Sequence, residues 1–173
     1  MKNQFVLLGL VLMMILVACS ETEQPNVIPD WDQQKSTEMN KNLAIEEEIQ
    51  IKLFLEQHKD WKMEKSGTGL QFFIYKEGEG SIGMVGQTAD VEMKITLLDG
   101  SVVFVTKKDH VDEFVIDKSE IESGIHEGIK KMKKGGKAKL IIPSHLAHGL
   151  IGDFEKIPPL SILVVDIHLL NLN

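Results

Sequence analysis

Apolar residues recur along this chain in three rhythms, and the changes of rhythm mark its parts. Phe5 to Val17 is an unbroken apolar run behind a single Lys2. It is too short to cross a bilayer comfortably and reads as the hydrophobic region of an export signal. From Thr37 to His58 the apolar residues Leu43, Ile45, Ile49, Leu53 and Phe54 fall at mixed three- and four-residue steps, the period of a helix. Glu46, Glu47 and Glu48 sit in its first half, the end where the helix dipole favours anions. After Ser66 a period of two takes over. Gly69 to Lys76 is strand-like, Glu77 to Gly80 a turn, and Thr88 to Leu98 a strand with Val91, Met93, Ile95 and Leu97 on one face. Asp99-Gly100 is a hairpin signal leading into Val102–Val105, and Glu113 to Ile116 is a further short strand.

A second helix interrupts the strands. Ser119 and Glu122 have the spacing of a capping box. Ile121, Ile125, Ile129 and Met132 then form one apolar stripe, with Gly124 and Gly128 beside it. Each helical glycine costs roughly 1 kcal/mol relative to alanine, so close packing of the helix backbone on a sheet is the expected compensation. Gly135-Gly136 should end this helix. Lys137–Ile142 and Leu160–Leu170 complete the strands, the last alternating through Leu163, Val165, Ile167 and Leu169. The order predicts an α+β fold: an antiparallel sheet of about five strands curled around a single helix, preceded by an N-terminal helix. The expected organisation is a signal at 1–18, a tether at 19–36, the leading helix at 37–65 and the main domain at 66–173.

The tether reading rests on two prolines, many Gln and Asn, and few apolar residues between Ser20 and Lys35. Its acidic start, Glu21 and Glu23, is either a sorting signal or solvated linker. For the leading helix two uses are open: a dimerisation or partner helix, or a helix packed on its own domain.

Composition narrows the chemistry. The 173 residues carry a formal charge of -7, one cysteine, and 19 basic residues, all of them Lys. A single cysteine excludes an internal disulfide framework. The acidic balance argues against nucleic acid as a partner, and without Arg there is no bidentate guanidinium clamp on phosphate. His145 and His148 are three apart, but two candidate ligands without a third do not make a metal site. No metal and no cofactor is expected. His58, His110, His126 and His168 are scattered and read as surface residues. The lysines at 130, 131, 133, 134, 137 and 139 form a dense basic patch. It either faces anionic lipid or an acidic partner, or is a solvated helix C-terminus.

The cysteine has a specific setting. Leu16-Val17-Ala18-Cys19-Ser20 resembles the lipobox of bacterial lipoproteins. The resemblance implies lipidation of the Cys19 thiol, cleavage before it and acylation of the new amine. One acyl chain binds membranes only marginally, whereas several on one residue anchor durably. The implied location is a bacterial membrane, facing the periplasm or the cell surface, with the outer membrane favoured.

From Ser66 onward the residues resemble the FKBP-type peptidyl-prolyl isomerases. The resemblance is carried by Gly86-Gln87-Thr88, Leu98-Asp99-Gly100, Gly124 and Gly128, Met132 and Gly135, then Ile142-Pro143-Ser144-His145-Leu146-Ala147-His148-Gly149 and Ile157-Pro158-Pro159. With the lipobox and leading helix, the chain further resembles the gliding-motility-associated lipoproteins of the Bacteroidetes. The resemblance implies an apolar proline pocket, proline-containing envelope proteins as clients and a membrane anchor. By position, it makes Ile125 the pocket floor, the Glu122 backbone N–H a ligand donor and His148 the side-chain donor. It places Met93, Val103, Phe104, Phe114, Ile121, Ile157 and Val165 in the pocket walls. An aspartate falls at 112 where the family has an aromatic, and the family's acidic residue with its arginine partner is missing. Those departures imply weak isomerase activity, or the same fold used as a non-catalytic binding module.

Overall fold

The computed structural model describes residues 32–173. The expected signal at 1–18, the lipidation site Cys19 and the tether up to residue 31 lie outside the described residues. The described residues fall into two units that divide between residues 40 and 41. Helix α1, Gln33–Glu56, crosses that division.

The helix starts earlier than the sequence pattern predicts. The Asp32 carboxylate accepts the Lys35 N–H at 2.8 Å, satisfying one of the amides that every helix start leaves open. Within the larger unit, the face of α1 that docks is not the one the apolar spacing suggests. Ile45, Ile49 and Leu53 are exposed, while Glu47 and Ile51 are buried. Ile51 packs with Ile141 and Ile162, flanked by Phe54, Leu55, Met63 and Leu98. A charged residue in the buried register broke the pattern. This segment of α1 therefore packs on its own domain.

The strands are β1 (Glu64–Lys65), β2 (Gln71–Lys76), β3 (Glu79–Ile82), β4 (Thr88–Leu97), β5 (Val102–Val105), β6 (Asp112–Val115), β7 (Lys133–Lys134), β8 (Lys137–Ile142) and β9 (Leu163–Leu172). One antiparallel sheet runs β1-β2-β8-β9-β4-β5, with β6 also paired to β4, and β3 pairs β7 separately. β4 splits one edge between two partners: residues 88–91 pair β6 and 94–96 pair β5. Its other edge carries β9, with a register shift between Asp90 and Val91. The segment read as a turn at Glu77–Gly80 instead runs into β3. Its short pairing with β7 leaves no periodicity to read.

Helix α2, Ser123–Ile129, is the helix inside the sheet, and it is shorter than expected. The capping box does not form. Glu122 occupies the cap position with φ −57 and ψ 130 but makes no capping bond, and the Ser119 hydroxyl accepts the Val115 N–H at 2.9 Å instead. Helix α2 ends at Ile129, not at Gly135-Gly136; Gly135, at φ 78, turns β7 into β8. Met132 is fully buried, so the apolar stripe continues past the helix because the turn after it enters the same core. The two helical glycines do sit against the sheet. A Cβ at Gly124 would lie 2.4 Å from Ile142 Cγ2, and one at Gly128 2.5 Å from Leu140 Cδ1. The core between α2 and the sheet is built from Ile125, Ile129, Leu140, Ile142, Leu163, Val165, Ile167 and Leu169.

Two further expectations are corrected. His126 is buried, not a surface residue. Its Nδ1 accepts the Asp117 N–H at 3.0 Å, so Nε2 carries the hydrogen donated to the Ser119 carbonyl at 3.1 Å. These bonds pin the segment leading into α2. Only part of the lysine patch is a helix C-terminus: Lys130 caps α2 and Lys131 follows it, whereas Lys133, Lys134, Lys137 and Lys139 lie on strands. Lys130 pairs with Asp117 at 2.6 Å and Lys139 with Asp166 at 2.7 Å.

Candidate functional site

A cavity of about 450 Å³ opens between the sheet and the segment before α2. β4 contributes Met93 and Ile95, and β5 Val103 and Phe104. β6 adds Asp112, Glu113 and Phe114, and the lead-in to α2 adds Ile121 and Glu122. The long connection between β8 and β9 supplies His148, Asp153, Glu155, Lys156 and Ile157. The structure thus brings together Met93, Val103, Phe104, Phe114, Ile121, Glu122, His148 and Ile157, as placed from the sequence. It leaves out Ile125 and Val165. Both are fully buried in the core, Val165 between Ile95 of β4 and Leu140 of β8. They share one buried cluster with Val103, Phe114 and Ile157 of the cavity lining.

The polar groups are held in place. Met93 donates its N–H to Thr106 Oγ1 at 2.8 Å, and that hydroxyl donates to Asp112 Oδ2 at 2.5 Å. β5 and β6 are tied together at the cavity wall in this way. His148 Nε2 lies 3.0 Å from Glu122 Oε1. The Glu122 carboxylate therefore holds the imidazole at the cavity wall instead of capping α2, and the Glu122 N–H has no protein acceptor among the described residues. Asp153 organises the long loop. Its Oδ1 accepts the N–H groups of Ile157 at 2.7 Å, Lys156 at 2.8 Å and Glu155 at 2.9 Å. Those donors, Ile157's foremost, hold the Asp153 carboxyl below the usual carboxylate range. The loop tip is apolar and outward, with Phe154 85% exposed.

Histidines 145 and 148 do not converge. His145 Nε2 is bonded to the Thr68 carbonyl at 2.9 Å, and among the described residues no group of three or more His, Cys, Asp or Glu is placed to hold a metal ion. No serine, threonine or cysteine lines the cavity, so it offers no nucleophile of that kind. What it offers is an apolar wall, an imidazole and a free backbone N–H. Sequence reasoning did not assign Ile95, Glu113, Asp153, Glu155 or Lys156 to the site. Ile95 was within reach, two residues beyond Met93 on the same strand face. Asp153 carried a weaker signal, a loop aspartate able to accept from the residues after it. Nothing local marks Glu113 or Glu155.

A family model described as FKBP-type peptidyl-prolyl cis-trans isomerase matches residues 81–170. FkpA of Escherichia coli, an FKBP-type peptidyl-prolyl cis-trans isomerase, is 36% identical over 114 residues, 66% of this chain and 42% of FkpA. The chain thus spans less than half of that relative. FK506-binding protein 1 of Dictyostelium discoideum is 33% identical over 103 residues, 59% of this chain and 96% of its own length. The crystal structure of E. coli FkpA superposes with a TM-score of 0.66 at 33% identity, covering 80% of this chain and 64% of that one.

Proposed function

The chain belongs to the FKBP-type peptidyl-prolyl cis-trans isomerase family, and we propose on that basis that its cavity takes a proline ring and speeds rotation of the X–Pro bond. One observation carries the reading. Residues scattered from 93 to 157 meet around a single cavity whose lining includes seven aliphatic or aromatic side chains, with His148 held by Glu122 beside them. Rotation about an amide costs about 20 kcal/mol because the planar form is resonance-stabilised. An apolar pocket favours the twisted imide, whose charge separation is smaller, over the planar one. Met93, Phe104, Phe114, Ile121 and Ile157 exclude water from the ring. The Glu122 N–H and His148 donate to the flanking carbonyls, with Glu122 holding the imidazole in place until it exchanges partners.

The activity is weak on this reading. Asp112 stands in the wall, and Glu113 and Glu155 lie nearby, so the site is less apolar than its chemistry prefers. The same carboxylates favour a second reading, in which the cavity binds client chains without turning them over. Proline-limited refolding of a model protein with the purified full chain separates the two. Acceleration supports catalysis, and none at micromolar chain would leave only the binding module. His148→Ala should lower the catalysed rate roughly tenfold, the worth of one hydrogen bond of about 1.4 kcal/mol. A rate untouched by His148→Ala would move the donor role elsewhere.

The lipobox-like segment supports attachment to the bacterial envelope through Cys19, with exported proline-containing proteins as clients. Cys19→Ser should shift the chain from the membrane to the soluble fraction and abolish incorporation of labelled fatty acid. Labelling that persists would remove the anchor reading. A part in surface motility rests on the sequence resemblance alone. In a deletion strain it predicts lost spreading that the parent chain restores and the Cys19→Ser chain does not.

A further inference from the structure

The isomerisation chemistry leaves one buried carboxylate unused. Glu47 belongs to α1, outside the segment matched by the family model, and is 8% exposed. Both its oxygens accept from one residue. Oε2 takes the Ser144 N–H at 3.0 Å and Oε1 takes the Ser144 hydroxyl. Among the described residues no lysine pairs with it; the nearby cation, Lys65, goes to Glu48 at 2.6 Å. Burying a carboxylate without a counter-charge is costly. The bonds that offset the cost therefore fix Ser144 firmly.

Ser144, itself 4% exposed, opens the 3₁₀ turn Ser144–Leu146. Its carbonyl accepts the Ala147 N–H at 2.9 Å and the Gly149 N–H at 2.8 Å. The residues on both sides of His148 thus hang from Ser144. The turn is tied forward as well, because Ser123 Oγ at the start of α2 donates to the Leu146 carbonyl at 3.1 Å. On its α1 side the turn borders an open space. A cavity of about 270 Å³ lies there, lined by Glu47, Pro143, His145 and Thr68 among others. What spans that side is Glu47, steadied one turn along α1 by Ile51 against Ile141 and Ile162.

We infer that Glu47 is a positioning residue for the proline site: from a helix outside the segment matched by the family model it holds the Ser144–Gly149 turn, and with it the His148 imidazole, at the cavity. The inference rests on the reading of His148 as the site's donor. The walls that bind proline lie on other elements, so loosening the turn lowers kcat more than it raises KM.

The test uses the purified full chain with Glu47→Gln, Glu47→Ala and Ser144→Ala, and Lys65→Ala as a control that breaks only the exposed Glu48 pair. The His148 imidazole resonances, identified by their loss in His148→Ala, are followed by NMR. The turnover of an X–Pro tetrapeptide is measured beside them. Glu47→Gln and Ser144→Ala should shift the His148 resonances and lower kcat roughly tenfold at near-parental KM, less than the hundredfold that misplacement by about 1 Å can cost. Lys65→Ala should do neither. If Glu47→Ala unfolds, Ser144→Ala, which deletes only a hydroxyl, decides the matter. Unmoved resonances with unchanged kcat in the folded variants would overturn the inference. A parent chain without isomerase activity would instead sink the catalytic reading, and the His148 resonances alone would then judge the positioning.

Discussion

Ile125→Asp should leave the chain without a stable fold rather than with an altered pocket. Ile125 is fully buried between α2 and the sheet, and no cation lies among the core residues packed there. An aspartate would bury an unpaired charge in place of packed methyl groups. Losses of this kind exceed about 4 kcal/mol, against a typical domain stability of about 5–15 kcal/mol. Ile125→Val should behave differently, costing about 0.5–1.5 kcal/mol for one methylene and leaving the cavity's shape nearly intact. Urea unfolding of both variants beside the parent measures the difference. A well-folded Ile125→Asp chain with only weakened substrate binding would mean that the side chain reaches the cavity after all, as family position suggests.

Gly152→Ala should be the most damaging change on the long loop. Gly152 has φ +69, and a Cβ there would lie 2.0 Å from the Ile157 carbonyl oxygen and 2.8 Å from the Pro158 carbonyl carbon. Both obstacles are backbone, so no rotamer change relieves them. The left-handed conformation adds roughly 1–2 kcal/mol for a residue with a Cβ. The loop must open, and with it the bond from the Asp153 N–H to the Ile157 carbonyl at 3.0 Å. Ile157 and Asp153 both border the cavity, so activity should fall together with stability. The total loss should be about 3 kcal/mol with refolding catalysis reduced at least tenfold. Gly100→Ala is the matched control. Its φ is +86 but nothing lies within 4 Å of the new Cβ, so it should cost only the conformational part, about 1–2 kcal/mol, and leave catalysis alone. Equal effects at the two glycines would show that the close approach at Gly152 is unimportant.

The elements that sequence reading found well are those whose burial is regular. β8 was placed to the residue and β4 within one, because their apolar residues, Val91 and Ile95 on β4 and Ala138, Leu140, Ile141 and Ile142 on β8, are buried ones. The cavity walls Met93, Phe114, Ile121 and Ile157 were placed by family position, and β4, β6 and the loop bring them together. Reading failed where a residue's role is set by a distant partner. Glu122 looked like half of a capping box, since Ser119 stands three residues earlier. His148, 26 residues away, claims its carboxylate instead. His126 looked like a surface histidine until Asp117 and Ser119 enclosed it. The stripe through Met132 overextended α2, because apolar spacing reports burial and not hydrogen bonding.

By itself the sequence determined the order of elements, the antiparallel α+β class, the two glycines that let α2 approach the sheet, and the family. These are local or pairwise matters of periodicity, turn chemistry and small residues at close contacts. Only the tertiary structure decided which face of α1 docks, which partner Glu122 takes, and how deeply Ile125 is buried. It also joined Glu47 to Ser144 across 97 residues of chain. A buried carboxylate must find its donors somewhere, but local spacing carries no record of where. That pairing is settled only when the folded core brings the two segments within bonding distance.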